Sequence, residues 1–161
     1  MKMTQESYQV ELEVPEGVQA FNFWTLAIMG RLWEEFPRLL YFNSSPRGVS
    51  VTNDHRVAGV PFGLTGPDQV QLFTNTLSWL LAEEYARGTA NAAGAFAAVT
   101  LTAKGFSILN QVPNSVATKP EIAAEKPLGT LMKEAAVSAV ASQSIGMVAT
   151  LVKAMLQSPG H

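Results

Sequence analysis

The apolar positions change period early in the chain. Tyr8, Val10, Leu12 and Val14 alternate with Gln9, Glu11 and Glu13, which predicts a strand with one buried face. Pro15 and Gly17 end it. From Val18 the period lengthens: Val18, Phe21, Ile28, Met29, Leu32 and Phe36 share one helical face, with Leu26 and Trp33 on its shoulder and Arg31, Glu34 and Glu35 opposite. This predicts an amphipathic helix of about five turns, stopped by Pro37. Phe23, Trp24 and Ala27 lie off the main stripe, which points to a helix covered on a second side.

After Pro37 the pattern shortens. "RLLYFNSSPRG" is an apolar piece closed by a polar turn, and "VSVTNDHRVAGVPFG" reads as two extended pieces around Asn53-Asp54, a hairpin. "TGPDQVQLFTNTLSWLLAEEYARG" is the clearest helix. Thr65 or Gly66 caps it, Pro67 suits its first turn, Asp68 favours the dipole and Gly88 ends it. Val70, Phe73, Leu77, Leu80, Leu81 and Glu84 form one stripe; Leu72, Thr76, Trp79 and Glu83 lie on the other side. "TANAAGA" reads as a loop of small residues, "FAAVTLT" as a strand and "AKGFSILNQV" as a short helix ended by Pro113. Three prolines and mixed charge make 113–127 a linker. A helix of roughly thirty residues, 128–158, closes the chain.

Helix, polar loop, strand and then Leu-Thr-x-Lys-Gly leading into a helix is an arrangement that resembles the second half of a winged helix-turn-helix domain. "SWLLAEEYARG" (Ser78–Gly88) resembles the end of that superfamily's recognition helix, and "VTLTAKG" (Val99–Gly105) the returning strand of its wing. "NFWTLAIMGRLWEEF" (Asn22–Phe36) stands as the first helix. The resemblance spans Val18 to Val112 and is most specific from Leu72 to Asn110. It implies a mostly helical α+β fold: a winged-helix-like domain over 1–112 with an appended long C-terminal helix. A second helix belongs before the recognition helix, and the sequence offers no good one.

A winged helix invites a DNA-reading function, and the residues argue against it. Base-edge readout needs Arg, Lys, Asn or Gln, and affinity needs cations facing phosphates. From Pro67 to Arg87 the only basic residue is Arg87, at the far end, against Asp68, Glu83 and Glu84. The outward side carries Leu72, Asn75, Thr76, Trp79 and Glu83; Trp79 is either the anchor of a protein-binding surface or packed under another part of the chain, such as the N-terminal strand or the C-terminal helix. The expected function is therefore protein–protein contact, as a homodimer or an adaptor. The alternative is a DNA-binding regulator whose basic surface is assembled by dimerisation from Arg31, Arg38, Arg47, Arg56 and Lys104.

The closing helix has two stripes. Val137, Ala141, Val148, Leu151, Val152 and Met155 are the bulky one; Ala135, Ala139, Ser142, Gly146 and Ala149 are small. Small residues at this spacing let backbones approach closely, so the helix is expected to dock or dimerise. The eighteen uncharged residues between Glu134 and Lys153 include Ser138, Ser142, Gln143, Ser144 and Thr150, too polar for a good membrane span. Association of this helix with a membrane is the third functional reading.

Composition narrows the chemistry. Charged residues are 15% of the chain and the net charge is −2, which leaves apolar surface for a partner. There is no cysteine, so thiolate metal sites and thiol nucleophiles are excluded. Asp54 and His55 are adjacent and no Gly-x-Ser-x-Gly elbow accompanies them. Glu34-Glu35 and Glu83-Glu84 are split across helix surfaces. No Walker or dinucleotide glycine motif appears. The chain reads as non-enzymatic, without cofactor or metal. With no apolar core behind Lys2, the expected location is the cytoplasm.

Overall fold

The computed structural model describes residues 15–112, 126–142 and 145–157, with backbone alone for 138–142 and 145–147. The strand predicted over Tyr8–Val14 and the linker residues 113–125 lie outside the described residues. In chain order the elements are α1 (Glu16–Glu35), β1 (Leu40–Ser45), β2 (Gly48–Thr52), β3 (Val60–Phe62), α2 (Pro67–Ala82), β4 (Ala86–Ala90), β5 (Ala95–Leu101), α3 (Ala103–Leu109), α4 (Leu128–Ser142) and α5 (Ile145–Gln157). The fold is α+β, with five helices and one antiparallel sheet of strand order β3-β2-β1-β5-β4 among the described residues.

Alternation along the strands sends Leu40, Phe42, Val49, Val51 and Phe96 inward, toward the helices. In β5 the inward residues Phe96, Val99 and Leu101 are spaced three and then two apart, which a regular strand cannot do. The chain solves this with an irregularity: Ala98 adopts φ 55° and the ladder shifts register against both neighbours. Where a winged helix would have its second helix, this chain has β2 and β3, paired Val49 to Phe62 and Val51 to Val60.

Helix α1 is the centre of the molecule. Every residue from Phe23 to Gly30 is buried, because α2 and the sheet cover one side while α4 and α5 cover the other. Its two inner tryptophans point opposite ways. The Trp24 indole donates to Gln69 Oε1 in the first turn of α2 (3.0 Å), and the Trp33 indole donates to Thr130 Oγ1 in the first turn of α4 (3.1 Å). Trp24 is fully buried, which contributes about 1.5–3 kcal/mol, and Trp33 is half-buried. The expected stripe is corrected at both ends: Val18 is exposed, and so is Phe36, although its ring lies 4.8 Å from that of Phe106 in α3.

The single closing helix expected over 128–158 is likewise corrected: two helices, α4 and α5, take its place. They touch each other over more of their length than successive parts of one helix can, and both pack on α1. Leu128, Leu131 and Met132 of α4 and Val148, Leu151, Val152 and Met155 of α5 join the same core as the sheet. The bulky stripe does not run through both, and Val137 is 66% exposed. A wheel drawn on one continuous axis loses its phase where that axis ends. No helix among the described residues is long and apolar enough to cross a membrane.

Candidate functional site

Helix α2 builds the surface around Trp79. Phe73, Leu77 and Leu80 anchor its inner face, which leaves Trp79 at the margin. The helix ends at Ala82; Gly88 does not terminate it but lies within β4. The stop is a Schellman turn made without glycine. The Tyr85 N–H donates to Leu80 O and the Glu84 N–H to Leu81 O, with Glu84 at φ 66°. The hydrophobic contact that accompanies such turns is present here as well: the Tyr85 ring stacks on Trp79 at 5.9 Å.

The segment Leu101–Gly105 locks this turn in place. Thr102 Oγ1 donates to Glu84 O (2.6 Å) and accepts from the Gly105 N–H (3.0 Å), so one hydroxyl caps α3 and satisfies a carbonyl just beyond the end of α2. Lys104 Nζ donates to Glu83 O (2.9 Å) and sits 4.2 Å above the Tyr85 ring, a cation where the helix dipole is negative. Gly105 is required because a Cβ there would lie 2.0 Å from Tyr85 O. The Leu-Thr-x-Lys-Gly pattern is thus the clasp between β5, α3 and the end of α2.

Trp79 stands on that clasp, 36% exposed, with the Phe21 ring edge-on at 5.1 Å and Tyr85 on its other flank. Burial, with Glu83 nearby, pushes the Tyr85 phenol above its ordinary pKa, so it stays neutral. Asn75 is exposed and accepts from Gln71 (3.1 Å); Glu83 is exposed and Leu72 half-buried. Thr76 is a correction. It is only 3% exposed, and its hydroxyl donates to Leu72 O at 2.7 Å. It sits about 60° round the helix from Trp79, toward Phe73 and Leu77, and the bond to its own helix makes burial cheap. The outward surface is therefore Leu72, Asn75, Trp79 and Glu83.

Of the small-residue stripe, Ala135 is buried against the core and Ala149 half-buried; the side chains of Ala139, Ser142 and Gly146 lie outside the described residues. The close approaches that the structure describes lie elsewhere. A Cβ on Gly30 would come within 2.7 Å of the Lys133 backbone, and one on Gly129 within 2.4 Å of the Trp33 ring. A lone glycine inside a bulky helix costs about 1 kcal/mol relative to alanine, which is the signal that could have marked Gly30. An ion pair between Lys133 and Glu34 flanks the crossing.

The five cations expected as a basic surface are divided. Lys104 belongs to the clasp, and Arg47 is exposed in the β1–β2 turn. Arg31 and Arg38 flank Glu35 (3.8 and 3.6 Å), and Arg56 pairs with Asp54 through Nε (3.0 Å) and Nη2 (3.2 Å). These bonds from Arg56 hold the Asp54 carboxyl below its ordinary pKa. Arg38, Tyr41, Asn53, Asp54, His55 and Arg56 line an open hollow of about 530 Å³. His55 is exposed, with its ring 5.2 Å from that of Tyr41. Among the described residues no group of three His, Cys, Asp or Glu could hold a metal. The chain matches no family model, curated protein or solved structure.

Proposed function

We propose that this chain is a non-enzymatic protein-interaction module, self-associating or adapting, that works through the outward face of α2. The observation that carries this reading is Trp79. A large ring, over a third exposed, is held between Phe21 and Tyr85 on a helix end fixed by Thr102 and Lys104. A preordered aromatic loses little entropy on binding, and tryptophan is the residue most favoured as an interface anchor. The acids Asp68 and Glu83 and the absence of any basic residue from Pro67 to Ala82 favour a protein over DNA.

The scaffold reading goes with it. A helix followed by a hairpin and then a short helix, α2–β4–β5–α3, supports a winged-helix-related core, with β2–β3 in place of the second helix. In this reading the DNA-reading helix has become a protein-docking one.

The test is the molar mass of the full chain by light scattering, beside that of Trp79→Ala. The expected result is an oligomer, most simply a dimer, that Trp79→Ala reduces to a monomer with its circular dichroism unchanged. A variant that assembles as the parent does would overturn the reading.

A further inference from the structure

The hollow beside β1 lies apart from the Trp79 surface and does not depend on it. Two carboxylates organise it. Glu35, at the end of α1, faces Arg31 and Arg38 and accepts from Asn53 Nδ2 (3.4 Å). Asp54 accepts from both the backbone N–H and the guanidinium of Arg56. Guanidinium groups paired in this way are not used up. An arginine carries five N–H donors; Arg56 gives two to Asp54, and Arg38 meets Glu35 through one nitrogen at 3.6 Å. Both side chains are largely open to solvent at the hollow.

The charge balance points the same way. Of the residues that line the hollow, Arg38 and Arg56 carry guanidiniums and Asp54 a carboxylate, in a chain whose net charge is −2. Arg38 and Arg56 come from different segments of chain, one before β1 and the other between β2 and β3. A single carboxylate is satisfied by one guanidinium. A phosphate group has the charge and the acceptor oxygens to take both. The rings of Tyr41 and His55, 5.2 Å apart, line the same hollow.

We propose that this hollow binds a small phosphate monoester, its phosphate held between Arg38 and Arg56 and the ring it carries resting on Tyr41 and His55. The site is open and its arginines hydrated, so binding is weak, in the millimolar range.

The experiment is an amide NMR titration of the full chain near neutral pH. The probes are inorganic phosphate and adenosine 5′-monophosphate, with sodium chloride at matched ionic strength as the control. Both phosphates are expected to give saturable shifts confined to residues 38–41 and 53–56, with the nucleotide binding the tighter. Arg38→Gln with Arg56→Gln should weaken both by about tenfold or more, the loss expected for charge-assisted hydrogen bonds, while the rest of the spectrum stays in place. Shifts that only follow the chloride control, or that survive the double substitution, would overturn the site. Equal affinity for phosphate and nucleotide would overturn the role of the two rings. None of these outcomes bears on Trp79→Ala.

Discussion

The clasp at the end of α2 and the crossing of α1 with α4 are two close approaches among the described residues, and they are built by different means. At the clasp, polar groups fill the space: Thr102, Lys104 and three backbone N–H groups satisfy the helix end and the cap that follows it. At the crossing, side chains are removed, so that Gly30 meets the Lys133 backbone and Gly129 meets the Trp33 ring. A clasp made of directional bonds leaves a compact signature, since Thr102, Lys104 and Gly105 fall within one five-residue stretch, Leu101–Gly105, although their partners at the end of α2 lie about twenty residues away. A crossing made of absent side chains joins positions about a hundred residues apart and leaves almost none. The first is specified by chemistry, the second by the whole fold.

Substitutions at these two places test that contrast. Gly105→Ala should cost most, about 3 kcal/mol or more, because its Cβ would overlap a backbone carbonyl at 2.0 Å that neighbouring bonds hold still. Urea unfolding reads this as a large drop in midpoint. Gly30→Ala should cost less, about 1–3 kcal/mol, since α4 can slide away as a unit from the 2.7 Å contact and the helix itself gains propensity. If the two losses ranked the other way, the crossing would be the more rigid region. Thr102→Val removes a cap acceptor and a carbonyl partner but keeps the shape; thermal unfolding should report about 1–2 kcal/mol. The smallest effect has the opposite sign. Glu84→Gly relieves a positive φ and should raise stability by about 0.5–1 kcal/mol. A loss there would mean that the Glu84 side chain itself holds the turn.

The same contrast explains what the sequence could tell. α1, the start of α2 at Pro67 and the β2–β3 hairpin were legible because local period and turn chemistry decide them. The end of α2 was not, because glycine is the usual C-terminal signal and here Glu84 takes the left-handed position while Gly88 serves a strand. β4 hid in "ARGTA", whose side chains have little strand preference and gain their place only by pairing with β5. The division of 128–158 into α4 and α5 was hidden by a composition that favours helix throughout. At the candidate surface, Trp79 and Glu83 could be read from helical spacing, whereas Thr76 needed the fate of its hydroxyl to be known. The hollow was the least visible. Arg38, Tyr41 and Arg56 meet only after β1 and β2 have paired, and the sequence alone scattered its arginines over a supposed DNA-binding face.

The opposed tryptophans of α1 give this chain a built-in optical readout. Trp24 is sealed between α1, α2 and the sheet, Trp33 lies on α4, and Trp79 is partly wet. Their emission colours and their access to a dissolved quencher must therefore differ. With two of the three replaced by phenylalanine, the remaining indole would report the sheet-side core, the helical layer or the binding face by itself. Loss of α4 would then be seen as a red shift of Trp33 while Trp24 stayed blue.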